Sequence, residues 1–268
     1  MKPEDLSKRI ISTYFWLRIG MGVIALIFPV LLWIGGKVFG DLSLQGSMSA
    51  YYHAGNGVMR DWFVGILFAI GIMLFLYQGF TNVEDYALNA AGVLTLGIAL
   101  FPMTWPGSQK PLYYGFIHGL CAILFFICIG YVCIFHADDT LELLKRIRDE
   151  KTRRKYRRTY KILGVLMITS PLIAASVSAT DFHYYTFYVE AVGVWVFATY
   201  WLVKSQEVSL TRADEKAAKG EIEVIKDVNK AGKEELEFIP EKTVPAHSNV
   251  SIPDLILGKV SVRERLNE

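Results

Sequence analysis

Residues 112–135 read LYYGFIHGLCAILFFICIGYVCIF, 24 residues with no Asp, Glu, Lys or Arg among them. A helix that is apolar on every face is either buried in a large core or crosses a bilayer, and about 20 such residues suffice to cross. Five further runs of this kind flank it: 16–36, 62–80 and 86–103 before it, 160–180 and 183–203 after it. Hydrocarbon offers no water to backbone N–H and C=O groups, so each run is expected to be a helix. The predicted fold is therefore all-α: a polytopic membrane bundle of six transmembrane helices over 1–204, followed by a partly ordered polar tail at 205–268. The chain as a whole is 53% hydrophobic, which suits a bundle in contact with the lipid bilayer.

The charges decide how such a bundle is oriented. Lys and Arg accumulate in cytoplasmic flanking segments of membrane proteins. Eighteen of them lie in the N-terminal segment, in the connection between the fourth and fifth runs and at the start of the tail, against three (Lys37, Arg60, Lys110) in the segments on the other side. Both termini are thereby expected in the cytoplasm, which an even number of spans allows. The first run lacks a small-residue cleavage site and is interrupted by Pro29, so it is expected to stay in place as a signal anchor. The basic connection around 145–161 is expected to lie against anionic lipid headgroups, each cation contributing roughly 1 kcal/mol near the surface. It has no aromatic platform, and nucleic acid is not an expected partner. The three cysteines all fall in the fourth run, which argues for small buried hydrophobes and against a disulfide framework. No internal repeat supports an inverted-repeat transporter.

With that orientation, the polar residues of the apolar region gather at the outer end. The stretch 47–63, SMSAYYHAGNGVMRDWF, contributes Ser49, His53, Arg60 and Asp61. His118 lies about seven residues into the fourth run, roughly 10 Å deep at 1.5 Å per residue. Asp181 and His183 fall in the turn between the last two runs, and Glu190 lies as deep in the sixth run as His118 does in the fourth. Ionisable groups inside a membrane are costly and by default point to function. Imidazoles with carboxylates form the ligand set that zinc prefers, with an open position for water in a catalytic site. His53, His118 and His183 with Asp61 are the candidate zinc ligands; Ser49 and Glu190 are candidates for proton handling. Arg60 and Asp181 are candidates for holding a substrate headgroup.

The residues SMSAYYH…MRDWFVGILFAIGIMLFLYQGF, with AGVLTLGIALFP and HGLCAILFF, resemble an uncharacterised family of bacterial multi-pass membrane proteins in the DRAM-like grouping. The likeness covers roughly 10–203 and implies a helical bundle in the bacterial inner membrane. A partial likeness to the CREST superfamily of intramembrane hydrolases, which includes the alkaline ceramidases, rests on Ser49, His53 and Asp61 in that order. It implies a zinc-dependent hydrolase of lipid-like amides or esters. Two other readings stay open on the residues alone: a non-enzymatic protein that binds a lipid or a partner through the outer cleft, and a haem or quinone protein using two of the outer histidines.

Overall fold

A computed structural model describes residues 3–104, 111–137, 139–141, 150–180, 185–211, 213–214, 222–226 and 234–238. Six helices follow in chain order: α1 (Pro3–Gly40), α2 (Val58–Leu76), α3 (Asn82–Leu100), α4 (Tyr113–Phe135), α5 (Glu150–Ser178) and α6 (Thr186–Thr211). Every one of them is long and apolar enough to cross a membrane, as the sequence led us to expect. Each packs on its chain neighbours, and α6 closes back on α1, so the helices form a ring. The core inside it is built from Met21, Phe28, Leu67, Ile70, Phe125 and Phe197, among others. Large apolar side chains also face outward: Trp33, Phe75, Phe116, Leu172 and Val192 are all exposed. An aqueous surround would leave that apolar area unburied, whereas lipid tails cover it.

Two glycine pairs let neighbouring helices touch. A Cβ at Gly71 would sit 2.9 Å from the Gly92 carbonyl, and one at Gly92 would sit 2.7 Å from the Gly71 carbonyl. Gly130 of α4 and Gly164 of α5 are matched in the same way at 3.0 Å. Water does not drive helices together inside a bilayer, so close packing at small residues has to do it.

A proline within a helix frees a carbonyl that another group then uses. Pro171 cannot donate to the Met167 carbonyl, which instead accepts from Ser170 Oγ at 3.3 Å. The first and last helices are tied by a bond from the Trp195 indole of α6 to the Leu26 carbonyl of α1 at 3.0 Å.

One feature differs from the sequence expectation: α6 runs on to Thr211, past the expected boundary at 204/205, because Lys204, Ser205, Glu207, Val208 and Thr211 are buried against the bundle. The tail, expected to be partly ordered, contains two strands, β1 (Ile222–Lys226) and β2 (Glu234–Phe238), paired antiparallel with Ile222 opposite Phe238.

Candidate functional site: a serine–histidine pair at one end of the ring

The α1–α2 connection is folded down onto the bundle. Its segment Met48–His53 is a short 3-10 helix whose N-cap, Ser47, accepts from the Ser49 N–H at 3.2 Å. Glu190 of α6 holds that N-terminus in place. Its Oε2 accepts from the Met48 N–H at 2.6 Å and from Ser47 Oγ at 2.9 Å. A second clasp runs from the Phe187 N–H to the Gly46 carbonyl at 2.7 Å. Tyr51 anchors the centre: it is fully buried, meets the Phe187 ring edge-on at 5.9 Å and accepts from the Gln45 N–H at 3.2 Å. Burial pushes its phenol above the ordinary tyrosine value, so it stays neutral. Gly55, Asn56 and Gly57, at φ of 64°, 51° and 98°, then turn the chain into α2.

This clamp brings Ser49 to His118. Ser49 Oγ lies 2.8 Å from His118 Nε2, and both residues are buried. On the other side of the ring, His118 Nδ1 faces the carbonyls of Ile98 (3.0 Å) and Phe101 (2.9 Å) at the end of α3. Carbonyls are acceptors only, so Nδ1 carries the proton and Nε2 presents a lone pair to the serine hydroxyl. Pro102 makes the arrangement possible: having no N–H, it leaves the Ile98 carbonyl without its usual helical partner.

The remaining expected site residues make other contacts. His53 Nε2 bonds to the Met103 carbonyl at 3.1 Å. The expectation that Ser49 and His53 would share one face assumed an α-helix; with about three residues per turn, positions i and i+4 diverge. Asp61 is exposed and pairs with its neighbour Arg60 at 3.1 Å, so that Arg60 is engaged by a carboxylate. Asp181 and His183 lie outside the described residues. No three His, Cys, Asp or Glu side chains among the described residues gather so as to hold a metal ion. His118 has Nδ1 committed to two carbonyls and Nε2 turned to Ser49, and among the described residues no two further His, Cys, Asp or Glu side chains join it around a common point.

A second polar assembly at the opposite end was not anticipated. Lys204 is buried and donates to Thr140 Oγ1 (2.7 Å), the Ala137 carbonyl (2.9 Å) and Glu207 Oε2 (3.1 Å). The same Glu207 oxygen accepts from Thr140 at 2.8 Å and Tyr160 at 3.2 Å. His136 Nδ1 faces Asp139 at 3.1 Å, and Glu84 caps the Phe80 N–H at 2.8 Å. Arg18 is 1% exposed and pairs with Asp214 through both guanidinium ends at 2.6 and 3.4 Å. The continuation of α6 to Thr211 is what brings Lys204 and Glu207 to these partners, and reading that stretch as tail hid them. No family model, curated protein or solved structure matches the chain.

Proposed function

We propose that this is an integral membrane protein, both termini cytoplasmic, that cleaves an ester or amide of a lipid-like substrate through Ser49 and His118 at the outer leaflet. The carrying observation is the 2.8 Å contact between Ser49 Oγ and the unprotonated Nε2 of His118. A serine is a weak nucleophile until a base takes its proton as it attacks. Ser49 Oγ adds to the acyl carbon while its proton moves to Nε2. The imidazolium then gives that proton to the leaving alcohol or amine as the bond to carbon breaks. Water, deprotonated by the same nitrogen, releases the acid from the acyl-serine and restores the pair.

In serine hydrolases a carboxylate orients the imidazole and stabilises its cation. Here the C-terminal end of α3 takes that part. Its free carbonyls fix the tautomer, and the negative end of the helix dipole favours imidazolium by roughly 0.3–1 kcal/mol, more where partly buried. Glu190 acts through the loop: by holding Ser47 and Met48 it positions Ser49.

Orientation rests on the excess of Lys and Arg at the Lys204 end of the ring. That excess also supports contact of the 145–161 segment with anionic lipid headgroups in a bacterial inner membrane. The purified protein should be labelled by a lipophilic fluorophosphonate, which phosphonylates activated serines, and Ser49→Ala and His118→Ala should abolish labelling. A protein that stays unlabelled, or labelling that survives Ser49→Ala, would reduce the pair to a tether for the loop. The protein would then be read as a non-enzymatic lipid binder.

A further inference from the structure

Beyond the last turn of α4 the chain tightens. The N–H groups of His136 and Ala137 both donate to the Val132 carbonyl, at 2.9 and 2.8 Å, and the Asp139 N–H donates to the His136 carbonyl at 3.1 Å. This turn sets the Asp139 carboxylate beside the His136 imidazole, with Oδ2 3.1 Å from Nδ1, and both side chains are buried. Thr81 Oγ1 also approaches Nδ1, at 3.4 Å. An ionised carboxylate only accepts, so Nδ1 carries the proton and Nε2 keeps a lone pair. That lone pair faces the phenol of Tyr131, five residues back on α4, at 3.3 Å. Tyr131 itself is 38% exposed and stands one helical turn, about 6 Å, from the end of α4. A hydroxyl reachable from outside is thereby backed by a buried imidazole and a buried carboxylate, the order found in serine hydrolases.

We infer that Tyr131, His136 and Asp139 form a second acyl-transfer site, at the end of the ring opposite Ser49, with Tyr131 as its nucleophile. Tyr131 Oη attacks the acyl carbon of an ester or thioester, and its proton passes to His136 Nε2. The imidazolium returns that proton to the departing alcohol or thiol as the carbon–oxygen or carbon–sulfur bond breaks. An incoming hydroxyl then gives its proton to Nε2 and takes the acyl group, and Tyr131 recovers a proton from the imidazolium. A phenol is more acidic than an aliphatic alcohol, so Tyr131 is easier to deprotonate than a serine and leaves its own ester more readily. That favours handing the acyl group to a second hydroxyl. The place of Tyr131, near the end of a helix apolar enough to cross a membrane, favours amphiphilic donors and acceptors. Asp139 is a positioning residue: it fixes the tautomer of His136 and stabilises the imidazolium. At 3.3 Å the Tyr131–His136 contact is just beyond the roughly 2.6–3.2 Å reach of a working base, and such contacts tighten when substrate binds. This chemistry is separate from that at Ser49 and His118 and does not depend on it.

The test treats the full-length protein in detergent with N-acetylimidazole, an acyl donor that acetylates tyrosines, and follows each tyrosine by peptide mass spectrometry. Tyr86 and Tyr113, 72% and 56% exposed, are the internal reference. Both are more open than Tyr131, and among the described residues neither has an imidazole bonded to its hydroxyl. Tyr131 should be acetylated about a hundredfold faster than either, the low end of what a positioned base contributes. His136→Gln should bring Tyr131 down to the reference rate. Asp139→Asn should slow it by about tenfold or more, and Asp139→Glu should restore most of the loss, because the effect follows the carboxylate. Unchanged rates at Tyr86 and Tyr113 report in the same digest that each variant is folded. A further arm needs no variant: dodecanol added to the acetylated wild type should remove the acetyl group from Tyr131 as dodecyl acetate, while the reference tyrosines keep theirs. Acetylation of Tyr131 no faster than that of Tyr86 and Tyr113, or an acetyl group that stays on Tyr131, would overturn the site and leave Tyr131 and His136 as a structural contact.

Discussion

Lys204 and Glu207 stand one helical turn apart on α6, 1% and 0% exposed, with their charged atoms 3.1 Å apart. Replacing Lys204 by Met removes three donated bonds at once and leaves Glu207 as a buried carboxylate without its cation. Breaking a buried pair from one side costs about 3–5 kcal/mol. Glu207→Leu strands the ammonium instead and takes the acceptor from Thr140 and Tyr160, with a cost in the same range. The double variant removes both charges of the pair, although the buried Glu84 also loses the nearby Lys204 cation. The rest of its cost lies in the hydroxyls and the Ala137 carbonyl that lose partners, at about 1–3 kcal/mol for each buried group left unsatisfied. Part of that cost is recovered from the added apolar contact. The double variant should therefore be no less stable than either single one, with a coupling energy above about 2 kcal/mol. Denaturation of the purified protein in mixed micelles, followed by helical circular dichroism, measures all four corners of the cycle, and Tyr160→Phe at about 1 kcal/mol calibrates the scale. Additive losses, or single losses below about 1 kcal/mol, would mean that the two groups remain hydrated and that the buried network described at this end does not form.

Arg18→Lys should lose stability almost as far as Arg18→Ala, by roughly 2–4 kcal/mol, because one ammonium cannot meet both oxygens of Asp214 and the position is buried; tolerance of lysine in the same denaturation assay would refute the pairing. Glu190→Gln should weaken the hold on the Met48 N–H and Ser47 by about 1–2 kcal/mol, seen as faster hydrogen exchange across 46–54 with α1 and α6 unchanged. Exchange that rises uniformly would mean that Glu190 supports the bundle generally. Gly36→Ala puts a Cβ into the Tyr51 ring, and overpacking of this kind costs about 1–3 kcal/mol; Tyr51→Ala in the same background should recover part of it. A cysteine at Gln45 should react with an impermeant thiol reagent in intact cells and one at Lys151 should not, and the reverse pattern would invert the proposed orientation.

The number and class of the elements were legible in the sequence because the bilayer imposes one simple demand, satisfied backbone over about 20 residues, that a run such as 112–135 meets by composition alone. The clustering of polar groups beside His118 was legible too, since depth along a helix follows from residue count. Which of those groups meet was not. Ser49 and His118 are 69 residues apart, and their contact depends on Tyr51 and Glu190 clamping the loop and on Pro102 freeing the Ile98 carbonyl. His53 and Asp61 looked equivalent to Ser49 in the sequence, yet His53 bonds the Met103 carbonyl beside the His118 site and Asp61 forms a local ion pair with Arg60. The opposite end was misread because charge was treated as a sign of exposure. Lys204, Glu207 and Arg18 are buried because each is matched by a partner from another turn or another helix, and pairing across helices is a property of packing, which a linear pattern of apolar and charged residues does not encode.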